Sequence, residues 1–454
     1  MPNTRKPPPP TPGATSDGEV GEVNRAASAG PRQSPDSTAL PSTPTEDQLH
    51  TGDTPPRFAA LRHRNFRLFW TGNLISLVGT LAQQTALSWL VRGLTPDPLT
   101  ISLVAACTTL PILLLTLYAG VMADRVDKRR GLILTNSAAA LLALALGALV
   151  WLNVIRVWHV AALSLLMGVV QAFDIPIRQS FNAEMVGRDD LPNAIALNST
   201  AFNGARVVGP AVGGFLLHTV GMAGCFFLNA LSFGAIISGL LLQRLPPHEP
   251  EHRALSLAEF REGYFFVRRH PTLWLVILLV ALISVFAISY STLLSVFAKD
   301  VFRTDERGFS LILTCYGIGA VGATFSLAAS GQMRHKGKRL LLGAFLYCWS
   351  VAAFAAAPTL TAGCCFLIFS GWFLLTFLTT ANTMVQTLAP DNMRGRVFSL
   401  YSLALIGTAP LGALFVGASA RLWGPRMAVQ IGAILAAVCT FGIYVRFRSL
   451  WKER

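Results

Sequence analysis

The residues with the clearest capacity for chemistry are a few charges that interrupt long apolar runs. One group stands in a tight connection between two such runs, and its members are Gly120, Asp124, Arg125, Arg129 and Arg130. The glycine lets two helices approach closely, the aspartate can meet a helix N-terminus, and the arginines can reach a carboxylate on a neighbouring helix. The group therefore predicts charged contacts between helices that hold one conformation of the protein.

Two more charges fall inside apolar runs. Asp174 lies near one end of a predicted helix, and Arg206 lies about halfway along the next one at 1.5 Å per residue. A charge at membrane depth is costly and usually faces a partner or a wet cavity. One interpretation is that Asp174 couples transport to protons while Arg206 lowers its pKa by proximity.

The sequence lacks the residue patterns that catalysis, metal binding or ATP hydrolysis would need. The eight histidines are scattered over loops and span ends, and the seven cysteines lie in or beside apolar segments without metal-ligand spacing. The sequence has no glycine-rich phosphate loop of the G-x-x-x-x-G-K-[ST] type. We therefore expect neither an enzyme nor an ATP-driven pump, and no metal, cofactor or structural disulfide.

Composition places the chain in a membrane. Of 454 residues, 52% are hydrophobic and 13% are charged, against about 25% charged in a soluble domain. The net charge of +14 comes from basic residues in short stretches between apolar runs, whereas a nucleic-acid binder gathers them on one folded face. The lipid bilayer is thus the expected partner, and nucleic acid is not.

The apolar runs are long enough to cross a hydrocarbon core of about 30 Å, which takes about 20 helical residues. The sequence predicts an all-α membrane protein with twelve transmembrane helices, at 66–92, 100–122, 131–153, 157–178, 195–219, 222–243, 272–298, 309–331, 339–357, 361–386, 397–420 and 425–446. Loops on one predicted side carry 25 basic residues and loops on the other carry 7. The positive-inside rule then puts both termini in the cytoplasm.

The longest polar connection divides the chain into two six-helix bundles, which a basic loop after the second span of each half marks as a weak repeat. The predicted divisions are a disordered cytoplasmic tail at 1–56, an N-terminal bundle at 57–243, a cytoplasmic linker at 244–271, a C-terminal bundle at 272–447 and a short tail at 448–454.

The stretch from Gly120 to Arg130 resembles the signature loop of the major facilitator superfamily, G-x-x-x-D-R-x-x-x-R-R. The runs from Gln171 to Asn198 and from Asn203 to Gly214, together with Arg394-Gly-Arg396, resemble the branch that contains the enterobactin exporter and related drug:proton antiporters. The resemblance implies two pseudo-symmetric bundles that alternate around a central site. It also implies a second interpretation of Asp174, a latch in which Asp174 pairs with Arg125 or Arg129 and Asp124 caps the start of span eleven. The gating residues are then Gly120, Asp124, Arg125, Arg129, Arg130, Asp174, Arg178, Arg394 and Arg396.

A helix motif bears on the direction of transport. Gly209, Pro210, Gly213 and Gly214 look like the motif associated with exporters in the superfamily, although Ala205 stands where the fuller pattern has a glycine. Proline can bend the helix and the glycines permit close packing, so plain helix packing is the alternative interpretation. Export is therefore favoured over import.

The fold implied by the resemblance places the substrate between spans one, four, seven and ten. Polar and aromatic candidates there are Asn73, Gln83, Gln84, Trp89, Gln171, Ser289, Tyr290, Thr379, Asn382 and Gln386; any of them could instead bond a neighbouring helix. They include no cluster of acids, so the expected cargo is a small amphipathic drug or siderophore-like molecule, exported from a bacterial inner membrane by a monomer in exchange for protons. An importer and a transport-inactive sensor or scaffold remain the alternatives.

Overall fold

A computed structural model describes residues 59–243, 257–329, 335–390 and 393–446, and every regular element in these ranges is helical. The predicted tails at 1–56 and 448–454 and the first part of the predicted linker lie outside the described residues. The all-helical prediction is confirmed for the described part of the chain.

Five long helices form the first half and, after a short linker helix, a second set forms the other half. The first five are α1 Arg64–Leu94, α2 Pro98–Arg125, α3 Lys128–Trp151, α4 Val157–Thr219 and α5 Gly221–Leu241, and the linker helix is α6 Leu257–Arg269. The remainder are α7 Pro271–Phe286, α8 Glu306–Ala329, α9 Lys336–Ala356, α10 Leu360–Leu388, α11 Arg394–Ser402 and α12 Ala409–Arg446. Short 3-10 and π turns carry α7 on to Val301 and join α11 to α12.

Side chains cap several of these helices at the expected points. Asp97 accepts from the backbone N–H groups of Leu99 and Thr100 while Pro98 occupies the first turn of α2, and Thr359 accepts from the Ala362 N–H at the start of α10. Such caps satisfy N–H groups that have no partner within the helix. The polar connections between apolar runs therefore start the helices as well as separating them.

α4 folds back on itself. Its 63 residues would measure about 95 Å if straight, three times the hydrocarbon thickness. Arg178 contacts Asn73 on α1, Asn193 accepts from the Ala60 N–H before α1 begins, and Gly213 returns to Ala82 further along α1. The chain thus runs towards the beginning of α1 and then back along it.

α12 folds back in the same way at Gly424. Its φ of 82° lies in the left-handed region, which glycine adopts at no steric cost, and Pro425 restarts the helix. Both Gly412 and Gly432, on either side of this point, lie against the 3-10 segment and the end of α7 at residues 285–289. Position 424 is therefore a turn between two antiparallel arms.

Ten helical stretches in the described part of the chain are long and apolar enough to cross a membrane, and they include Pro271–Val301 and Arg394–Val445 as single stretches. Span seven, predicted at 272–298, accordingly continues to Val301 through a 3-10 turn and a π turn. The predicted linker also contains a helix, α6. Since two stretches fold back, the architecture is compatible with twelve crossings, and that number stays a prediction.

The helix ends define two faces of the molecule. We call the face at which α1, α3, α7, α9 and α11 begin the start face, and the opposite one the far face. α1 to α5 pack on one another, α7 to α12 pack on one another, and the two halves meet through α2 with α12 and α4 with α8.

Within the described residues, the apolar core is shared by both halves at the far face and not at the start face. One cluster joins second-half residues to the far-face ends of the first half, including Leu90, Ile101 and Phe226. A separate cluster, built around Phe66, Phe69, Phe181, Leu132 and Ile236, fills the first half at the start face. The two halves are therefore joined at the far face and have separate cores at the start face.

Large apolar side chains cover the outside of the bundle, among them Leu114, Leu134, Leu231, Phe325 and Phe441. A soluble monomer rarely exposes so much contiguous apolar surface, whereas hydrocarbon solvates it well. The outer surface agrees with the membrane location that composition predicts.

Close packing of α4 on α1 gives a test of this arrangement. A Cβ at Gly213 would lie 2.9 Å from the Ala82 carbonyl oxygen and 3.0 Å from its Cα, whereas a Cβ at Gly204 on the same helix would meet nothing within 4 Å. We expect Gly213→Ala to lower the thermal unfolding midpoint in detergent, by an overpacking cost of about 1–3 kcal/mol. Gly204→Ala is the matched control and should leave the midpoint unchanged or slightly raised. Equal midpoints for the two variants would contradict the described contact.

Candidate transport cleft and gate

Asp174 and Arg178 form a polar cluster near the start face of the first half. Arg178 Nε donates to Asp174 Oδ2 at 2.7 Å, and its other nitrogens donate to Asn73 at 2.5 Å and Asn136 at 3.3 Å. Thr135 Oγ1 donates to Asp174 Oδ1 at 2.7 Å. The ion pair is mostly buried, and it ties α1, α3 and α4 into one unit.

These contacts correct one expectation. Arg129 does not pair with Asp174; it donates to the carbonyl oxygens of Leu240 and Leu241 at 2.7 and 2.8 Å. Those carbonyls are left without helical partners at the end of α5, and a nearby cation also suits the helix dipole. Among the described side chains, Asp174 pairs with Arg178 one turn away, where the i,i+4 spacing places both on one helix face. The alternative pairing with Arg125 involves a side chain outside the described part of the structure and stays a prediction.

The other predicted gating residues are spread over the start face. Arg130 makes a loose pair with Asp127 at 3.7 Å and is largely exposed, and Gly120 is half-buried. Arg394 donates to the Gln386 carbonyl at 3.2 Å, and Arg396 pairs with Glu262 of α6 at 2.7 Å. The side chains of Asp124 and Arg125 lie outside the described part of the structure, so the cap on span eleven stays a prediction.

The predicted cavity residues divide into two groups. Gln83 is buried and accepts from Asn229 of α5 at 2.7 Å, Ser289 donates to the Ser284 carbonyl, and the Tyr290 hydroxyl lies 3.2 Å from Ser370. These three bond within or between helices in this conformation and do not line a cavity. The residues with accessible surface are Asn73, Gln84, Trp89, Gln171, Thr379, Asn382 and Gln386.

The described residues form separate apolar cores in the two halves at the start face, and we call the region between these cores the transport cleft. Gln84 and Gln386, from the first and second halves, are both exposed, and Gln386 donates to Asn382 at 2.6 Å. Neutral amides of this kind can hydrogen-bond many different cargo groups. Gln84 and Gln386 are therefore candidate cargo contacts on the two sides of this region.

Among the described side chains, the ion pairs between the halves lie at the far face, and sequence reasoning missed them. Arg92 binds Asp300 through two nitrogens, with Nε donating at 3.0 Å. Arg421 lies 3.8 Å from Asp97, whose pKa is lowered chiefly by the hydrogen bond from the Thr100 side chain. The far-face gate, as we call this set, also contains the hydrogen bond between Arg307 and His218. The only sequence signal is that these charges sit at span ends on the sparsely basic side.

Aromatic packing reinforces this gate. Trp89 of α1 stacks on Phe309 of α8 with ring centroids 5.6 Å apart, and Lys299 Nζ lies 5.8 Å from the Trp89 centroid. Stacking and cation–π contacts of this kind each contribute about 0.5–1.5 kcal/mol. Trp89 was predicted to line the cavity, and the structure places it where the halves close.

The Gly-Pro stretch lies at the seam between α4, α1 and α8. Because Pro210 has no N–H, the Arg206 carbonyl lacks its usual helical donor, and Gly317 of α8 approaches that carbonyl. Ser310 Oγ donates to the Pro210 carbonyl at 2.6 Å. The stretch therefore brings the two halves together as well as packing α4 on α1.

This arrangement suits binding and movement. No group of three metal-ligating side chains occurs within the described ranges. Two sets of helices, which meet through α2 with α12 and α4 with α8, form the paired architecture expected of a major facilitator transporter.

The chain belongs to the transmembrane secretion effector family, whose model matches residues 56–453. It is 25% identical to the staphyloferrin A transporter of Staphylococcus aureus, over 85% of this chain and 96% of that one. It is 28% identical to the multidrug efflux pump Tap of Mycolicibacterium fortuitum (81% and 91% covered), and 25% identical to the enterobactin exporter EntS of Shigella boydii (85% and 93%). The resemblance to the major facilitator superfamily is confirmed.

Solved structures agree on the fold. A bacterial homologue of the human lysosomal transporter spinster superposes with a TM-score of 0.68 at 14% identity, covering 89% of this chain and 99% of that one. A bacterial homologue of the iron transporter ferroportin superposes with a TM-score of 0.64 at 16% identity (86% and 99%). The chain is thus a multi-pass transport protein of the bacterial inner membrane and not an enzyme.

The Asp174 cluster predicts a measurable coupling. We expect Asp174→Asn and Arg178→Gln each to lower the thermal unfolding midpoint, because each leaves a mostly buried charge without its partner. The double variant should lower the midpoint by less than the two single variants together. The corresponding coupling in the free energy of unfolding is on the order of 1 kcal/mol. Arg130→Gln, at a largely exposed pair, is the control and should change little. Strictly additive losses would show that the two side chains do not depend on each other.

Proposed function

We propose that this protein exports a small amphipathic molecule from the cytoplasm by alternating access, in exchange for protons. The observation that carries the proposal is the unequal joining of the halves: they share an apolar core and a polar gate at the far face, and have separate cores at the start face. Such a structure holds its central site open to one side.

The start face is assigned to the cytoplasm by the positive-inside rule. It carries the basic connections around Arg129, Lys336 and Arg394, whereas the far face carries few basic residues. The described conformation is then open to the cytoplasm and closed to the outside. A cargo would enter the cleft from the cytoplasm, and opening of the far-face gate would release it.

Two observations support export over import. The Gly209 to Gly214 stretch resembles the exporter-associated helix motif, and it lies on the α4–α8 seam that must rearrange. The related proteins include an efflux pump and a siderophore exporter by their names. A drug or siderophore-like cargo is therefore the proposed substrate, and a monomer contains both halves of the site.

Proton exchange has a candidate residue in Asp174. Its described partners, Thr135, Asn136 and Arg178, all belong to the first half, so protonation would loosen that half instead of directly parting the two halves. The cluster contacts α1 at Asn73, a helix that also carries the gate residue Arg92. Asp174 would thereby act on conformation through the position of α1.

A thiol cross-link across the far-face gate tests alternating access. In a variant whose native cysteines are replaced by serine, Arg92→Cys with Asp300→Cys should be joined readily by a short bis-methanethiosulfonate reagent, because the bonded side chains now span the distance between these two positions in the cytoplasm-open state. We expect the cross-link to abolish transport and a reductant to restore it. Cysteines at His63 and Asp190, a pair inside the first half, provide the control, whose cross-link should leave transport intact. Transport that continues with the gate cross-linked would overturn the mechanism.

Direction and energy source can be measured in inverted membrane vesicles. With a proton gradient, vesicles containing the protein should accumulate an exported dye or drug, and a protonophore should abolish the accumulation. Accumulation that ignores the protonophore would rule out proton exchange. Uptake into right-side-out vesicles alone would favour an importer, and no flux of any tested compound in either orientation would favour a sensor or scaffold.

A further inference from the structure

Arg206 is a charge in the membrane that has no acidic partner among the described side chains. Its guanidinium lies 4.5 Å from the ring centroid of Phe202, one helical turn away. The sequence contains no Asp or Glu between Leu191 and His248, and none between Arg307 and Pro390. The intramembrane carboxylate at Asp174 is already bonded to Arg178. A carboxylate for Arg206 must therefore come from outside these helices.

Helix geometry gives the direction in which Arg206 points. On the returning arm of α4, Gly209 and Gly213 face α1, while Pro210 and Gly214 face Ser310 of α8. At about 100° per residue, position 206 falls between these two faces, about 60° from position 209 and about 40° from position 210.

The opposite side of the same arm faces outward. Phe215 is 67% exposed and lies about 180° from Arg206 around the helix. Since α1 and α8 belong to different halves, the sector between them faces the space that the halves enclose. Arg206 and Phe202 therefore project towards the transport cleft, about midway between the two faces.

An arginine in this position needs a compensating interaction. A charge at membrane depth is tolerated when it faces water or a partner, and stacking on Phe202 supplies only part of the stabilisation. Stacking also leaves the edge of the guanidinium free to donate, and this planar edge matches a carboxylate or sulfonate group. Phe202 is 43% exposed, so its ring can still contact an aromatic ligand.

We propose that Arg206 and Phe202 form an anion-selective subsite of the cleft, which binds the negatively charged group of an aromatic substrate. The inference rests on the proposed transport function and specifies its substrate class. Charged hydrogen bonds contribute about 1.5–3 kcal/mol, so an anion should bind about tenfold more tightly than a neutral molecule of the same shape.

The test is equilibrium binding to the full chain in lipid nanodiscs, without any gradient. Three probes share one ring system and differ in charge: naphthalenesulfonate, naphthalenemethanol and naphthylmethyl-trimethylammonium. The unchanged protein should prefer the sulfonate to the alcohol about tenfold, and bind the cation most weakly. Arg206→Gln should remove the preference and leave binding of the alcohol unchanged, which also shows that the variant is folded. Arg206→Lys should keep part of the preference, since it keeps the charge but not the planar fork.

Arg156→Gln is the control, because it removes the same charge from an exposed position on the same helix and should leave the preference intact. Phe202→Leu should weaken all aromatic probes together. The proposal is overturned if the unchanged protein does not prefer the sulfonate, or if Arg206→Gln retains the preference. Because binding requires neither a gradient nor a direction, a failure of export in vesicles would leave this result standing, and active export with an unchanged preference in Arg206→Gln would reject the subsite alone.

Discussion

The absence of water from the bilayer core is the constraint on which the rest of the structure depends. Each backbone N–H and C=O in the hydrocarbon must form a hydrogen bond within the protein. A chain of this composition therefore crosses the membrane as helices. Departures from regular helix occur where other groups compensate. The carbonyl that Pro210 leaves without a donor is covered by Gly317 of α8, and the chain reverses at Gly424, where the φ of 82° suits glycine alone.

The same constraint explains what could be predicted from the sequence. Hydropathy and charge identify membrane helices because the free energy of placing a residue in the bilayer depends mainly on that residue and not on its partners. The predicted spans agree with α3, α5 and α9. Side-chain partners depend on which helices become neighbours, which hydropathy does not encode. Arg129 was one expected partner of Asp174, yet it binds carbonyl groups at the end of α5, and Asp174 pairs with Arg178 one turn away on the same helix. Likewise, Arg92 and Asp300 are far apart in the sequence and reveal nothing of their pairing until the halves are assembled.

Polar contacts within the first half differ in burial from a polar contact between the halves. Within the first half, the Asp174 cluster and the Gln83–Asn229 bond are mostly buried, and buried bonds of this kind are expensive to break. Between the halves, the pair of Arg421 and Asp97 is partly exposed. Exposed ion pairs contribute about 0–1 kcal/mol each. Each half can therefore move as a unit while the contacts between halves are exchanged.

The larger cost of opening the far face lies in the apolar core that the halves share there. Separating Trp89 from Phe309 and exposing Leu90 or Ile101 would cost about 1.5–3 kcal/mol per fully exposed large side chain. A transporter must populate both states, so the difference between them is limited to a few kcal/mol. Closure of the start face must then bury a comparable apolar area between the two cores that are now separate. A bound cargo that contacts both halves favours that closure, because it fills the space between those cores. Cargo binding is thereby linked to opening of the far-face gate through packing, and this link does not require proton binding.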